Sequence, residues 1–303
     1  MERRPVPLAP TAFGHRGHAL FPYFFLAPCL LLLLALTVYP LFYLARLSLY
    51  RMTPEGEAFA GLANFARLLT DGFFWRALGQ TLVFTFSALT LEFLLGLALA
   101  LLLHSQIRGR SLWRALFLLP MILPPVVAGV IWRLIYNPNF GVLNAALQGL
   151  GFDTSRLTWL ADPSVALAAV VVVDVWEWTP FVFLILLAGL QAIPEEPYEA
   201  ARIDGSGPWQ TFRHITLPLL APAILVALLL RTFDLLRLFD QVFILTQGGP
   251  GFATETISLY IYKTAFRFYD FGYAAALSFV LLGATLALSH FYIRLLQRPE
   301  RTA

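Results

Sequence analysis

The sequence predicts an all-α membrane protein with six transmembrane helices and both termini cytoplasmic. Three observations carry this. Of 303 residues, 59% are hydrophobic and 13% charged, the latter about half of the roughly 25% usual in soluble domains. The apolar residues fall into six blocks of the size set by a rise of ~1.5 Å per residue across ~30 Å of hydrocarbon. Arginines crowd one set of connections, which orients the spans.

Residues 1–18 read as a basic tail holding Arg3, Arg4, Arg16, three prolines and two glycines. The charge-free run 19–45 exceeds the ~7–15 residues of a signal-peptide core, so it is expected as an uncleaved first span. The second span, 81–103, is interrupted only by Glu92. The third, 115–132, carries Pro120, Pro124 and Pro125. The fourth, 165–190, contains Asp174, Glu177 and Pro180, and the fifth, 219–239, contains Arg231, Asp234 and Arg237. The sixth, 271–293, is again free of charge. These runs are too long and too uniformly apolar for the alternation of barrel strands. The expected organisation is a transmembrane domain over 19–296, a cytoplasmic loop at 191–218 within it, and a cytoplasmic tail at 297–303.

With six spans, the N-terminal tail, the second connection (Arg108, Arg110, Arg114), the loop 191–218 and the C-terminus (Arg294, Arg298, Arg301) share one side. Together they hold 11 arginines, against eight basic residues in the connections on the other side. That bias makes their side cytoplasmic.

Several chemistries are excluded. The single cysteine, Cys29, permits no internal disulfide and no thiolate metal site. The five histidines are scattered, with no H-E-x-x-H pair. Lys263, the one lysine, precedes Thr264 but follows no glycine-rich loop. Ser206 lies between Gly205 and Gly207, which is not a nucleophile elbow. Any energy from ATP would therefore have to enter through another chain, itself holding the nucleotide and Mg. A net charge of +3, well dispersed, gives no reason to expect nucleic acid.

Charges at bilayer depth cost roughly 2.5–3.5 kcal/mol on insertion scales, so they face a bundle interior or a cavity. Asp174 and Glu177 are three residues apart, as are Arg231 and Asp234, so each pair shares a helix face. Counting ~1.5 Å per residue places Asp174, Glu177 and Arg231 about 12–18 Å from the outer boundary, where they can meet. Trp176 and Trp178 flank Glu177, and Pro180 removes a helical hydrogen bond nearby. Carboxylates and a guanidinium beside indole rings suit a sugar. The same residues equally suit a salt bridge between spans four and five. Glu92 stands alone on its span, open to a structural bond or a functional one. A proton-coupled secondary transporter using Glu92, Asp174 or Asp234 is the alternative function class, with an intramembrane enzyme as a third.

The loop 191–218 carries the most specific signal. Pro194, Glu195, Glu196 and Pro197 suit a first helical turn. Gly205 and Gly207 break that helix, and Pro208 opens a second with Trp209, Phe212 and Ile215 on one face. Glu199-Ala200-Ala201, Gly205, Ile215, Leu217 and Pro218 follow the pattern E-A-A-x3-G-x9-I-x-L-P. This resembles the cytoplasmic signature of ABC-importer permeases. Asn64-Phe65 with Phe74-Trp75, Tyr136-Asn137-Pro138 with Phe140-Gly141, Leu245 to Pro250, and Tyr260 to Phe266 with Gly272-Tyr273-Ala274 are similar to the carbohydrate branch, with its maltose, trehalose and glycerol-3-phosphate permeases.

The resemblance implies a type I importer architecture in the bacterial or archaeal inner membrane, importing a sugar or related compound. It implies four kinds of partner: a second permease subunit, an ATPase dimer docking on the loop, an extracytoplasmic solute-binding protein and the lipid around the spans. The turn 248–251 and the helix expected at 257–268 would meet the solute-binding protein. Aligned on Leu119-Pro120, Trp176 and Gly248-Gly249-Pro250, it implies sugar-lining positions at Met121, Pro125, Asp174, Glu177, Trp178, Arg231, Leu235 and Asp240. Asp234 is a further candidate, because the span-five assignment can slip by one residue. The extra N-terminal spans and large periplasmic insertion of the maltose permease have no counterpart here. Most of the lining side chains also differ, so a different sugar is expected.

Overall fold

The computed structural model describes residues 21–53, 56–104, 109–154 and 157–297, with side chains from residue 26 onward. The basic tail 1–18, Arg108 and the C-terminal residues 298–303 lie outside the described residues.

The first described helix, α1 (Phe21–Ser48), leans on the last described one; it is mostly exposed over residues 26–43 and becomes buried at Leu47 and Ser48. It passes into a small antiparallel hairpin, β1 (Tyr50–Thr53) and β2 (Gly56–Phe59), with Tyr50 opposite Phe59. The short helix α2 (Ala63–Thr70) is pinned to that hairpin by Asn64, whose Nδ2 donates to the Ser48 and Tyr50 carbonyls at 2.8 and 2.9 Å. Next comes α3 (Gly72–His104), whose 33 residues make a helix of about 50 Å. It begins before the expected second span and extends beyond a ~30 Å hydrocarbon layer.

The expected third span, 115–132, is not one straight helix. It is divided between α4 (Arg110–Ile122) and α5 (Pro125–Ile135), which meet at 97°. Pro125 forces the preceding residue out of the helical region, and Pro124 is extended at φ −61°, ψ 140°. Pro124 also lacks an amide hydrogen, so the ladder of α4 cannot continue through it. Beyond α6 (Val142–Gly149) the chain enters α7 (Ala166–Ala192), the central helix, which packs on α3, α4 and α5.

The loop folds as α8 (Glu196–Ile203) and α9 (Pro208–Thr211), followed by a wide π turn at Phe212–Thr216. That turn feeds α10 (Leu217–Leu236), which packs on α3 and α7. At the far end of α10 come α11 (Asp240–Leu245) and α12 (Ile257–Phe266), shorter than the helix expected at 257–268. The last helix is α13 (Phe271–Leu296).

Without water, helices associate through close packing and small residues rather than apolar burial. Gly96 on α3 shows this directly: a Cβ there would lie 2.9 Å from Val182 Cγ1 and 3.1 Å from the Phe183 amide nitrogen on α7. Of three apolar clusters among the described residues, two run along α7. One joins Phe84, Ala88, Val170, Val173, Leu235 and Leu245. The other joins Leu97, Ala100, Phe183, Leu186, Leu220 and Ala227. Residues 92 on α3, 177 on α7 and 231 on α10 fall between the two clusters, with Asp174 at the edge of the first, so the charges form a layer inside the bundle.

Candidate functional site: a buried charge layer and a bent loop

Arg231 is 1% exposed and is held by two helices at once. Its Nε and Nη2 donate to the two carboxylate oxygens of Glu92 on α3, each at 2.7 Å. Nη2 also donates to Asp174 Oδ2 on α7 at 2.7 Å. Two carboxylates and a fork-shaped cation satisfy each other here, the geometry in which a buried ion pair is tolerated. The ion pair that stood as the alternative reading for spans four and five is present, with Glu92 as a third member. Glu92 is not solitary in the fold.

Asp174 and Arg231 also reach a cavity of about 360 Å³ at the end of α10, where the chain turns into α11. Pro125, Trp178, Asp234, Arg237, Leu238, Phe239, Asp240 and Gln241 line the rest. The Trp178 ring stands 5.0 Å from the Arg231 guanidinium carbon, close enough for a cation–π contact. Asp234 is half exposed, 3.8 Å from Arg231 Nη1 and 3.9 Å from Arg237 Nη2.

Other expected lining positions lie elsewhere. Leu235 is buried in the apolar cluster beside Ala88 and Val242. Glu177 is fully buried behind the cavity, accepting from Gln241 Nε2 at 2.7 Å. Met121, on α4 just before the 97° bend, is not among the residues lining this cavity. Trp176 turns away from Trp178, packing edge-on against Trp132 at 5.6 Å. Gln241 and Arg237 were not singled out in the sequence. Arg237 was visible as an intramembrane charge, but Gln241 carries no sequence signal that separates it from an ordinary loop glutamine.

The loop residues form a compact bend. The Ser206 amide donates to the Ala201 carbonyl and the Gly205 amide to the Arg202 carbonyl, with Gly205 at φ +75°. This is a Schellman ending, which requires a left-handed residue and so favours glycine. Ala201 is buried, whereas Glu199 and Ala200 face outward. Ile203 and Trp209 are 86% and 68% exposed, large apolar side chains on a projecting loop. Ile215, Leu217 and Pro218 lie where the π turn enters α10, and Tyr198 anchors α8 to it through its hydroxyl and Thr216 Oγ1 at 3.2 Å.

At the opposite end, the turn 248–251 is braced by Thr254, which donates to the Gly249 carbonyl at 2.8 Å, and by the Lys263–Glu255 ion pair at 2.5 Å. Burial lifts the Glu255 carboxyl above its ordinary range, against the opposing pull of Lys263. Nearby, Asp71 accepts from the hydroxyls of Tyr260 and Tyr273, both at 2.6 Å. Burial pushes its carboxyl up, but these bonds and backbone amides outweigh that and hold it below the usual carboxylate value.

Residues 158–299 match the family described as "Binding-protein-dependent transport system inner membrane component". The chain is 41% identical over 278 residues to the trehalose/maltose transport system permease protein MalF of Thermococcus litoralis, covering 90% of this chain and 92% of that one. It is 38% identical over 272 residues to the trehalose transport system permease protein SugA of Mycobacterium tuberculosis, covering 89% and 86%. Its fold is similar to that of a chain in a bacterial ABC transporter involved in importing the acidic polysaccharide alginate, with a TM-score of 0.81, 24% identity, and coverage of 93% and 96%.

Proposed function

The chain belongs to the family of binding-protein-dependent transport system inner membrane components, and from that premise we propose that it is one permease half of a sugar importer. It is a multi-pass membrane protein of the ABC-importer class. The substrate is a di- or oligosaccharide or related compound, delivered by a solute-binding protein to the end carrying the 248–251 turn and α12. The loop side faces the cytoplasm, with a paralogous permease as the other half. This chain binds no nucleotide; ATP and Mg sit on a separate ATPase dimer that receives α8 and α9.

The observation that carries this reading is the bent loop. Its Schellman turn presents Glu199, Ile203 and Trp209 outward, a short helical knob of the kind that enters a partner's groove. The charge layer supports ATP-driven rather than proton-driven transport. Glu92 and Asp174, two of the carboxylates available to a proton relay, are both bonded to Arg231. On the pathway, Trp178 offers a ring for the apolar face of a sugar, and Asp174, Asp234 and Asp240 offer acceptors to hydroxyls.

The test is uptake by the complete transporter carrying Gly205→Asp or Glu199→Lys. Both variants are expected in the membrane at wild-type level, with sugar uptake and substrate-stimulated ATPase lost. Wild-type uptake by both, with unchanged ATPase stimulation, would refute the coupling role.

A further inference from the structure

We propose that the cavity beside α11 selects against anionic ligands, admitting uncharged polyhydroxylated compounds, and that Asp234 and Asp240 set this selection. The inference rests on the sugar-permease reading and narrows its substrate class.

The argument concerns which groups are left free. A guanidinium at the end of a cavity is ordinarily a receptor for carboxylate, sulfonate or phosphate. Arg231 is not available for that. Its Nε and Nη2 are taken by Glu92 and Asp174, and its face lies toward Trp178. Only Nη1 remains, 3.8 Å from Asp234. Arg237, the second cation, is an exposed side chain that donates Nε to the Phe233 carbonyl at 3.2 Å; its Nη2 stands 3.9 Å from Asp234, so its outer nitrogens stay free and the selection rests on the carboxylates outnumbering the guanidinium groups.

What remains unengaged is acceptor-rich. Asp234 makes no hydrogen bond within 3.5 Å to either cation, and Asp240 faces the cavity from the first turn of α11. The buried Oε1 of Gln241 has no hydrogen-bond partner. Three aspartates against two arginines line the space, a formal charge of −1. A ligand with many hydroxyl donors satisfies such a wall. An anion would bring a further negative charge into a space where carboxylates already outnumber guanidinium groups, and like-charge juxtaposition disfavours it.

The experiment measures equilibrium binding to the assembled transporter in nanodiscs, without the solute-binding protein, so that delivery does not filter the ligands. The probes are trehalose and maltose, each paired with its mono-uronate, which replaces one hydroxymethyl by a carboxylate. Wild type is expected to bind at least one neutral sugar about tenfold or more tightly than its uronate. Asp234→Asn/Asp240→Asn, which keeps a carbonyl acceptor at each position, is expected to weaken neutral-sugar binding to a still measurable level and to narrow that gap by at least half on a logarithmic scale. That retained binding is its own control for folding. If the double variant does not assemble, Asp234→Asn alone, at a half-exposed position, must show the same direction. Equal or tighter binding of the uronates by wild type would overturn charge selection and leave the sugar reading standing. An unchanged gap in the variants would remove Asp234 and Asp240 as its source. Binding of neither sugar nor uronate would overturn both this inference and the sugar reading.

Discussion

Arg231 on α10 and Glu92 on α3, 139 positions apart, share two hydrogen bonds of 2.7 Å in the middle of the bundle. With Asp174 they tie three membrane helices through one guanidinium. Removing one member of a buried pair leaves an uncompensated charge, worth about 3–5 kcal/mol. Arg231→Met is therefore expected to reduce assembled complex severely. Glu92→Gln, which keeps an acceptor and a similar shape, should assemble far better. Yield after size-exclusion chromatography and thermal inactivation of purified complex measure this. Equal yields for the two variants would contradict the lock.

Gly205 separates conformational need from space. A side chain there meets nothing within 4 Å, yet φ is +75°. The left-handed region costs an ordinary L-residue about 1–2 kcal/mol, and Asn less than most. Gly205→Asn should thus retain more substrate-stimulated ATPase activity than Gly205→Val, with equal membrane levels. The reverse order would show that the Schellman bend is not what the coupling needs.

Gly96 tests packing instead. A Cβ there would press on Val182 and on the Phe183 backbone of α7. Overpacking of this kind costs about 1–3 kcal/mol, so Gly96→Val should lower the thermal inactivation temperature of the complex. Val182→Ala in the same chain should recover part of the loss, since it removes the nearest side-chain atoms. Failure of that second change to help would place the strain on the Phe183 backbone.

Asp71 predicts an acid dependence. Its carboxyl is held below the ordinary value by Tyr260 and Tyr273. A depressed acid contributes stability above its unfolded value and loses it as pH falls through the folded one. The contribution should be complete above about pH 5 and decline toward pH 3, starting from an unfolded value of about 3.9. Asp71→Asn should show a flatter thermal-stability profile over that window. Identical profiles would mean that the carboxylate contributes nothing there.

The membrane class and the loop were legible because both are local properties of the chain. A block of some twenty apolar residues can only become a spanning helix, since every backbone polar group must be satisfied within it. The pattern from Glu199 to Pro218 lies within one short segment, so its spacing survives in one dimension. The cost of a buried charge likewise made Arg231 and Asp174 visible as partners before any geometry was known.

The tertiary structure alone decided the rest. These spans are apolar on nearly every face, so they carry no periodic stripe to say which side meets protein and which meets lipid. Helix rotation therefore comes from contacts such as Gly96 against Val182. That rotation brings Glu92 to Arg231, sends Glu177 to Gln241 and buries Leu235 in the core. The prolines at 124 and 125 signalled a break, but the 97° between α4 and α5 reflects how both halves pack on α7. Pairings across 139 and 64 residues belong to the fold, because nothing along the chain measures the distance between helices that meet only in space.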